Sequence, residues 1–302
     1  MQILHRWCMK NIETKWLEDF LILEECRHFS QAAEKRNLSQ SAFSRRISAL
    51  EEVIGVKLFD RSSLPLQLTD QGKLFHSQTR NLLQQLRNNL DELLGHNCNL
   101  PNIKFAAAHS LSLSIMPNLI RTLSQKHENF IYSVEAIDVD QTVNTLIEGK
   151  SDFIFSFYDE RLMQPPFLSL EILQSQLYPV SPVDITGEAL FNITDSNIPL
   201  LNYTPNSYMG RLVNRKLAQT KLCTKTKFIS SMSELLKNML LNHQGIAWLP
   251  KYSVQEELQH KKVKILDKAE LVIPIKGYIY RMNTRLNNVA EEFWNDLKNI
   301  QL

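Results

Sequence analysis

Apolar positions in the first seventy residues fall into short helical stripes separated by polar turns. Over 12–26 (IETKWLEDFLILEEC), Trp16, Leu17, Phe20, Leu21, Ile22 and Leu23 recur at largely helical spacing. The tract SQAAEKR predicts a second, short helix with Ser30 as its cap, since a serine hydroxyl accepts from the open amides of a helix start. After the turn RNLS, Ser39 is placed to cap a longer helix over 40–54, where Phe43, Ile47, Leu50 and Ile54 form one buried stripe. The opposite face carries Gln40, Ser41, Ser44, Arg45 and Ser48. Two short helices joined by a tight turn, the second with a polar and basic outer face, predict a helix-turn-helix.

Beyond Gly55, Val56, Leu58, Leu66 and Leu68 suit two short strands around a polar tip, Arg61 to Pro65, which is the wing of a winged helix. Thr69 then caps a long helix over 70–95 with a narrow stripe of Phe75, Leu82, Leu83, Leu86, Leu90, Leu93 and Leu94, suited to pairing with a second copy. From about 102 the texture changes. IKFAAA, SLSIMPNLIRTL, YSVEAI, VDQTVNTLIEG and DFIFSF alternate strand and helix, and IPLLNY, YMGRLVNRKLAQ, TKFIS, MSELLKNMLLN and GIAWLP do so again. A late strand, LVIPIKGYIYRM, and a final helix, NNVAEEFWNDLKNI, close the chain. The expected class is α+β overall: a winged helix-turn-helix over 12–69, a linker helix over 70–95, and a two-lobed α/β effector domain over 102–302, with a mainly parallel sheet and a cleft between lobes.

Composition adds little. Of 302 residues, 43% are hydrophobic and 22% charged, with a net charge of +2. Residues 1–96 hold 13 Lys+Arg against 12 Asp+Glu, so only a mild basic focus over 27–61 marks a nucleic-acid face. Cys8, Cys26, Cys98 and Cys223 form no C-x-x-C pair, which favours reduced thiols. The first ten residues lack a signal-peptide run and no stretch of about 18 apolar residues occurs, so the expectation is a cytoplasmic protein without a membrane span.

The segment FSQAAEKRNLSQSAFSRRISALEEVIGVKLFDRSSLPLQLTDQG resembles the signature of the LysR-type transcription regulators from end to end. The matching features are the A-A pair, L-S-Q, S-R-R-I-x-x-L-E, G-V-x-L-F-x-R and the closing L-T-x-x-G. Ser41 stands where the family usually has proline, which trades the rigidity of proline at a helix start for a hydroxyl. Within the family, AAAHSLSL, EAIDVD, IPLLNY, NSYMGRL, SSMSELL, GIAWLP and YRMNTR resemble a hypochlorite-responsive branch. The resemblance implies a regulator without enzymatic activity or cofactor that binds double-stranded promoter DNA, forms a homodimer or higher oligomer such as a tetramer, and meets RNA polymerase.

Major-groove reading needs side chains projecting from the start of the inserted helix, and Gln40, Ser41, Ser44 and Arg45 hold that position. Ser30, Ser39 and Arg46 are better placed for phosphates, and Arg61 for the minor groove or backbone. Taken alone, such a face is more often just a solvated helix surface; the signature is what favours DNA.

In the effector domain Ser110, Ser207 and Ser230 each stand at a helix start, where open amides suit a polar or anionic ligand, although simple capping also explains each. Cys223 is the only cysteine beyond 98, so an intramolecular disulfide switch is not available there. Methionine is the other oxidisable residue. Met239 lies in an apolar run, while Met209 sits beside a glycine at a helix start in polar surroundings and Met232 lies between serines. The resemblance implies oxidation of effector-domain methionine, with Met209 and then Met232 as candidates. An ordinary metabolite held between the lobes stays open as the alternative. An enzyme is disfavoured: the chain has no G-x-G-x-x-G, Walker, H-E-x-x-H or G-x-S-x-G motif, and its eight histidines show no metal-ligand spacing. A binding module alone, resembling periplasmic binding proteins in fold, leaves the helix-turn-helix unexplained.

Overall fold

A computed structural model of the chain describes residues 11–94, 102–124, 130–220, 222–266 and 268–299. The expected ends of the linker helix at 95 and of the effector domain at 300–302, with Cys8 and Cys98, lie outside the described residues. The chain divides into two compact units, an N-terminal one and one built mostly from residues beyond 99.

In the first unit, α1 spans Thr14–Cys26, α2 Phe29–Lys35 and α3 Gln40–Ile54. Both ends of α3 follow from its sequence. Ser39 Oγ accepts from the Ala42 amide at 3.3 Å, and Gly55, at φ 84°, closes the helix in the left-handed conformation that glycine adopts without strain. Strands β1 (Phe59–Asp60) and β2 (Gln67–Leu68) pair antiparallel as a short wing, and α4 spans Asp70–Leu93. Thr69 Oγ1 accepts from the Gly72 amide at 3.0 Å, and a Cβ on Gly72 would collide with the Leu58 carbonyl, so the L-T-x-x-G motif locks the wing onto α4. Phe20, Leu23, Ala32, Phe43, Ile47 and Leu50 form the buried centre.

Two local expectations are corrected. Helix α2 begins at Phe29, whose ring packs edge-on against Phe43 at 6.4 Å, so His28 is the cap and Ser30 falls inside the first turn. Val56 is exposed and outside either strand, because the chain leaves α3 through Gly55 and turns inward only at Leu58.

The second unit runs β3 (Asn102–Ala108), α5 (His109–Ser114), α6 (Met116–Ser124), β4 (Ile131–Ile137), α7 (Thr142–Ile147), β5 (Phe153–Phe157), β6 (Phe167–Pro182), β7 (Ile198–Tyr203), α8 (Tyr208–Ala218), β8 (Thr224–Ser230), α9 (Ser233–Leu241), β9 (Ala247–Pro250), α10 (Gln255–Gln259), β10 (Val263–Ile265), β11 (Ile273–Met282) and α11 (Asn288–Asn299). The large sheet has the order β10-β6-β11-β5-β3-β4, with β9 also on β6. Only β4-β3-β5 is parallel; β6, β9, β10 and β11 pair antiparallel. The expected mainly parallel sheet is therefore mixed, because β6 and β11 return between the lobes. The single helix expected over SLSIMPNLIRTL breaks at Ile115, two residues before Pro117, which has no N–H to continue the ladder.

The first lobe closes around the rings of Phe105, Phe153 and Phe293, whose centroids lie 5.6, 5.1 and 5.2 Å apart pairwise. The second lobe packs α8 and α9 on the β7-β8 pair through Leu201, Val213, Leu236 and Trp248. Strand β6 belongs to both, pairing β11 over much of its length and then β9 and β10 near its end.

Candidate functional site

Gln40, Ser41 and Arg45 are exposed and Ser44 is half-buried at the start of α3, opposite the fully buried Phe43, Ile47 and Leu50. Ser30 Oγ donates to Gln40 Oε1 at 2.9 Å, which orients the Gln40 amide from the neighbouring helix. Ser39 Oγ and Ser41 Oγ lie 3.2 Å apart, and Arg45 Nε donates to the Ser41 carbonyl at 3.3 Å. Among the described residues the terminal nitrogens of Arg45 make no hydrogen bond, and its side chain is exposed.

Two arginines expected at DNA also pair with buried carboxylates, while their side chains stay 29% and 43% exposed. Arg46 lies 3.2 Å from Asp19, which is fully buried and also accepts from Arg36 Nε at 2.6 Å. Arg61 opens the turn between β1 and β2, as expected, and there reaches Glu51 and Ser48 Oγ at 3.3 Å each and lies over the Phe29 ring. Glu51 also accepts from Lys57 Nζ at 2.8 Å and from the amides of Leu58 and Phe59 at 2.9 and 3.3 Å. Burial pushes the Glu51 carboxyl up, but these hydrogen bonds and the Arg61 charge outweigh it and hold the group below its ordinary range. Neither brace was found from sequence, although a carboxylate inside the apolar tract WLEDF is a signal that a cation must reach it.

In the second unit a cleft of about 330 Å³ opens between the lobes. One wall is Ala108–Ser110, Ile137–Gln141 and Phe157; the other is Thr204, Asn206–Met209, Ser231 and Ser233. Ser110 and Ser207 therefore share one cavity. Ser207 Oγ caps α8 by accepting from the Gly210 amide at 3.1 Å, and Ser110 Oγ accepts from the Tyr252 hydroxyl at 3.1 Å. Ser230 does not line the cleft: it ends β8 and its hydroxyl accepts from the Met232 amide at 3.1 Å, so Ser231 and Ser233 take the place expected for it. A Cβ on Gly210 would collide with the Thr204 carbonyl, so the first turn of α8 is pressed onto the loop and Met209 is fixed beside it.

The electrostatics of the cleft were not foreseen. Arg211 Nη2 lies 2.8 Å from Asp140 Oδ1, an ion pair from the second lobe to the first, and Arg211 also donates to the Asn206 carbonyl. Tyr208 stacks on Phe157 at 5.0 Å and 9°, and burial pushes its phenol up to about 12, leaving a neutral hydroxyl at physiological pH. His109 Nε2 stands 4.0 Å from Asp138 Oδ1.

Met209 departs from its expected polar setting. It is 6% exposed, belongs to the hydrophobic cluster of the second lobe, which also holds Val213 and Leu236, and lines the cleft. Met232 is 39% exposed and caps α9 beside a second, shallow depression with Ser110 and Leu113. Among the described residues no helix is long and apolar enough to cross a membrane.

A winged helix-turn-helix with an oriented reading face, on a chain that also carries a two-lobed cleft, defines a DNA-binding regulator with an effector domain. The chain belongs to the LysR family: residues 14–73 match "Bacterial regulatory helix-turn-helix protein, lysR family" and residues 101–300 match "LysR substrate binding domain". It is 56% identical over 296 residues to the HTH-type transcriptional regulator YjiE of Escherichia coli K12, covering 97% of both chains. It resembles the full-length structure of HypT from Salmonella typhimurium, a hypochlorite-specific LysR-type transcriptional regulator, with 55% identity, TM-score 0.63 and coverage of 96% and 98%. DarR of Vibrio fischeri, solved in complex with DNA, is 42% identical with TM-score 0.63, covering 97% of this chain and 100% of that one. These relatives are transcription regulators, and so is this chain.

The exposed terminal nitrogens of Arg45 give the first test. Arg45→Ala is expected to weaken specific binding by about tenfold while leaving non-specific binding nearly unchanged, as removing one bidentate base contact does. Competition against random-sequence DNA measures it, and an unchanged specificity ratio would remove Arg45 from the reading set.

Proposed function

We propose that this LysR-type regulator answers hypochlorite through oxidation of Met209, with Met232 as a second oxidisable position. The carrying observation is the double placement of Met209, on the wall of an open cleft and inside the hydrophobic cluster of the second lobe. Hypochlorous acid delivers oxygen to the thioether, giving the sulfoxide, chloride and a proton. Where the new S–O group faces the apolar cluster it is unpaired, which costs about 1–3 kcal/mol unless the lobe rearranges to turn it to the cleft. The similarity to HypT supports the reading, and the regulatory domain of that protein has also been solved as a methionine-to-glutamine variant.

The division of labour we propose gives DNA reading to residues 12–69, pairing to 70–95 and sensing to 102–302. Leu82, Leu86, Leu90 and Leu93 are exposed along α4 at coiled-coil spacing, which supports a homodimer or a tetramer built from two. Gln40, Ser41, Ser44 and Arg45 are assigned to base edges.

A second reading has its own observation. The hydroxyl-lined cleft with its Asp140–Arg211 pair has the size of a small-molecule site, so a metabolite is the alternative effector. Titrating the purified chain with hypochlorite, peroxide or buffer, while following DNA binding and site-resolved mass, separates the two. A footprint change that tracks a one-oxygen gain at Met209 supports the oxidant reading. An oxidised Met209 with unchanged DNA binding overturns it and leaves the metabolite.

A further inference from the structure

Side chains on the reading face are held by hydroxyls beside them. Ser30 is the second residue of α2 and Gln40 the first of α3. Both backbones are fixed. Ala32 and Ala33 seat α2 in the core, the Phe29 ring packs edge-on against Phe43 of α3, and Ser39 closes the first turn of α3 through the Ala42 amide. The 2.9 Å bond from Ser30 Oγ to Gln40 Oε1 therefore joins two rigid anchors, and it fixes a side chain that is otherwise exposed.

A glutamine has several rotatable bonds before its amide and loses their freedom when it meets a base. An amide already held in place loses less on binding, which is the advantage of preorganisation. The bond also assigns the ends of the amide. Oε1 is turned to Ser30, and among the described residues Gln40 Nε2 makes no hydrogen bond, so the donor end is left for DNA. In the major groove guanine, adenine and thymine each present an acceptor, whereas cytosine presents only its amino donor.

Building on the assignment of Gln40 to a base edge, we propose that Ser30 is a positioning residue for base reading: its hydroxyl holds the Gln40 amide with the nitrogen outward, so that Gln40 rejects cytosine on the strand it contacts. Ser30 is thereby taken away from the phosphates, where its place near a helix start would put it, and a residue that touches no base acquires a share in sequence specificity. Phosphate contacts fix register and carry no sequence information directly, so the two roles of a serine differ in what its loss does.

The probe is a duplex selected by the wild-type full chain from a random-sequence pool, together with its single-base-pair variants, in competition titrations. Gln40→Ala should flatten the preference at one position of each half-site. Ser30→Ala should lower discrimination at that same position by about fivefold, the scale of freeing one side chain before binding. Cytosine should gain most there, because the released amide can turn its oxygen outward. The other positions should keep their preferences, and Ser30→Thr, which retains the hydroxyl, should restore the wild-type profile. A Ser30→Ala chain that binds every sequence more weakly by the same factor would make Ser30 a phosphate contact and overturn the proposal. A wild-type preference for cytosine at the Gln40 position would overturn it too, since the amide oxygen would then face the DNA. If Gln40→Ala flattens no position, the assignment of Gln40 to a base edge fails as well; if it flattens one that Ser30→Ala leaves untouched, only the role of Ser30 fails.

Discussion

Replacing Glu51 by alanine should cost the N-terminal unit about 3 kcal/mol and with it most DNA binding at elevated temperature. The figure comes from what the substitution strands. Lys57 and Arg61 have side chains 70% and 43% exposed and rehydrate when their partner goes, so their share is small. The amides of Leu58 and Phe59 belong to buried residues and lose their acceptor at the point where the chain enters the wing. Each unsatisfied buried amide costs about 1–3 kcal/mol. In a unit of this size, 3 kcal/mol lowers the midpoint by roughly 12–24 °C. Hydrogen exchange over residues 14–69 reads the loss locally, and unchanged protection at Leu58 and Phe59 would mean the brace carries no stability.

The same group gives a pH dependence whose sign follows from its environment. The folded Glu51 carboxyl titrates below its ordinary value, so folding favours the ionised form. Its contribution is fully present above the unfolded value of about 4.3 and is lost as pH falls through the lower folded value. Glu51→Gln keeps an acceptor oxygen but removes the charge. The stability gap between wild type and Glu51→Gln should be constant from neutral pH to about 5 and narrow below about 4.3. A gap that widened on acidification would mean that burial, not hydrogen bonding, dominates at this carboxyl.

Residues differ in how plainly they announced these arrangements. Helix α3 was legible to its ends because a single stripe is punctuated by Ser39 and Gly55, and β7 because IPLLNY is a continuous apolar run. Strand β6, the longest in the molecule as described, was missed for a physical reason. Its pairing with β11 slips where Gly277 faces Leu173 and Tyr278 faces Glu171, leaving Ile172 as an extra residue. The inside and outside positions exchange phase there, and Pro179 further along discourages a strand assignment. At the sites, helix starts pointed to Ser110, Ser207 and Met209 because capping is local chemistry. The Asp140–Arg211 pair joins residues 71 apart, and Arg46 and Arg61 find Asp19 and Glu51 only once α1, α3 and the wing pack together. Local rules reveal which side chains stand at an element's end, not which opposite charge arrives there from elsewhere.

Met209→Leu should abolish the hypochlorite-dependent change in DNA binding while leaving basal binding intact. Leucine fills nearly the same volume, and such exchanges usually cost less than about 1.5 kcal/mol, so the cluster around Val213 and Leu236 keeps its packing. What is lost is the sulfur. Exposure ranks the two candidates in opposite orders for rate and for effect. Met232, at 39% exposed, meets oxidant more readily, yet its sulfoxide stays hydrated and transmits little free energy. Met209, at 6% exposed, lines the cleft and is reached more slowly, but a sulfoxide there disturbs the packing of α8 on the cluster. A ligand or modification shifts a two-state equilibrium only by its differential stabilisation of the two states, so the buried position is the one able to switch the domain. Met232→Leu should therefore lower total oxygen uptake without blunting the footprint change, and Met209→Gln, with a polar amide at the same place, should move DNA binding toward the oxidised level without oxidant. Band-shift titrations of the three variants beside intact-mass spectra decide the matter. A Met209→Leu chain that still answers hypochlorite with the wild-type footprint would take the switch away from α8, and a response lost instead in Met232→Leu would place it at the start of α9.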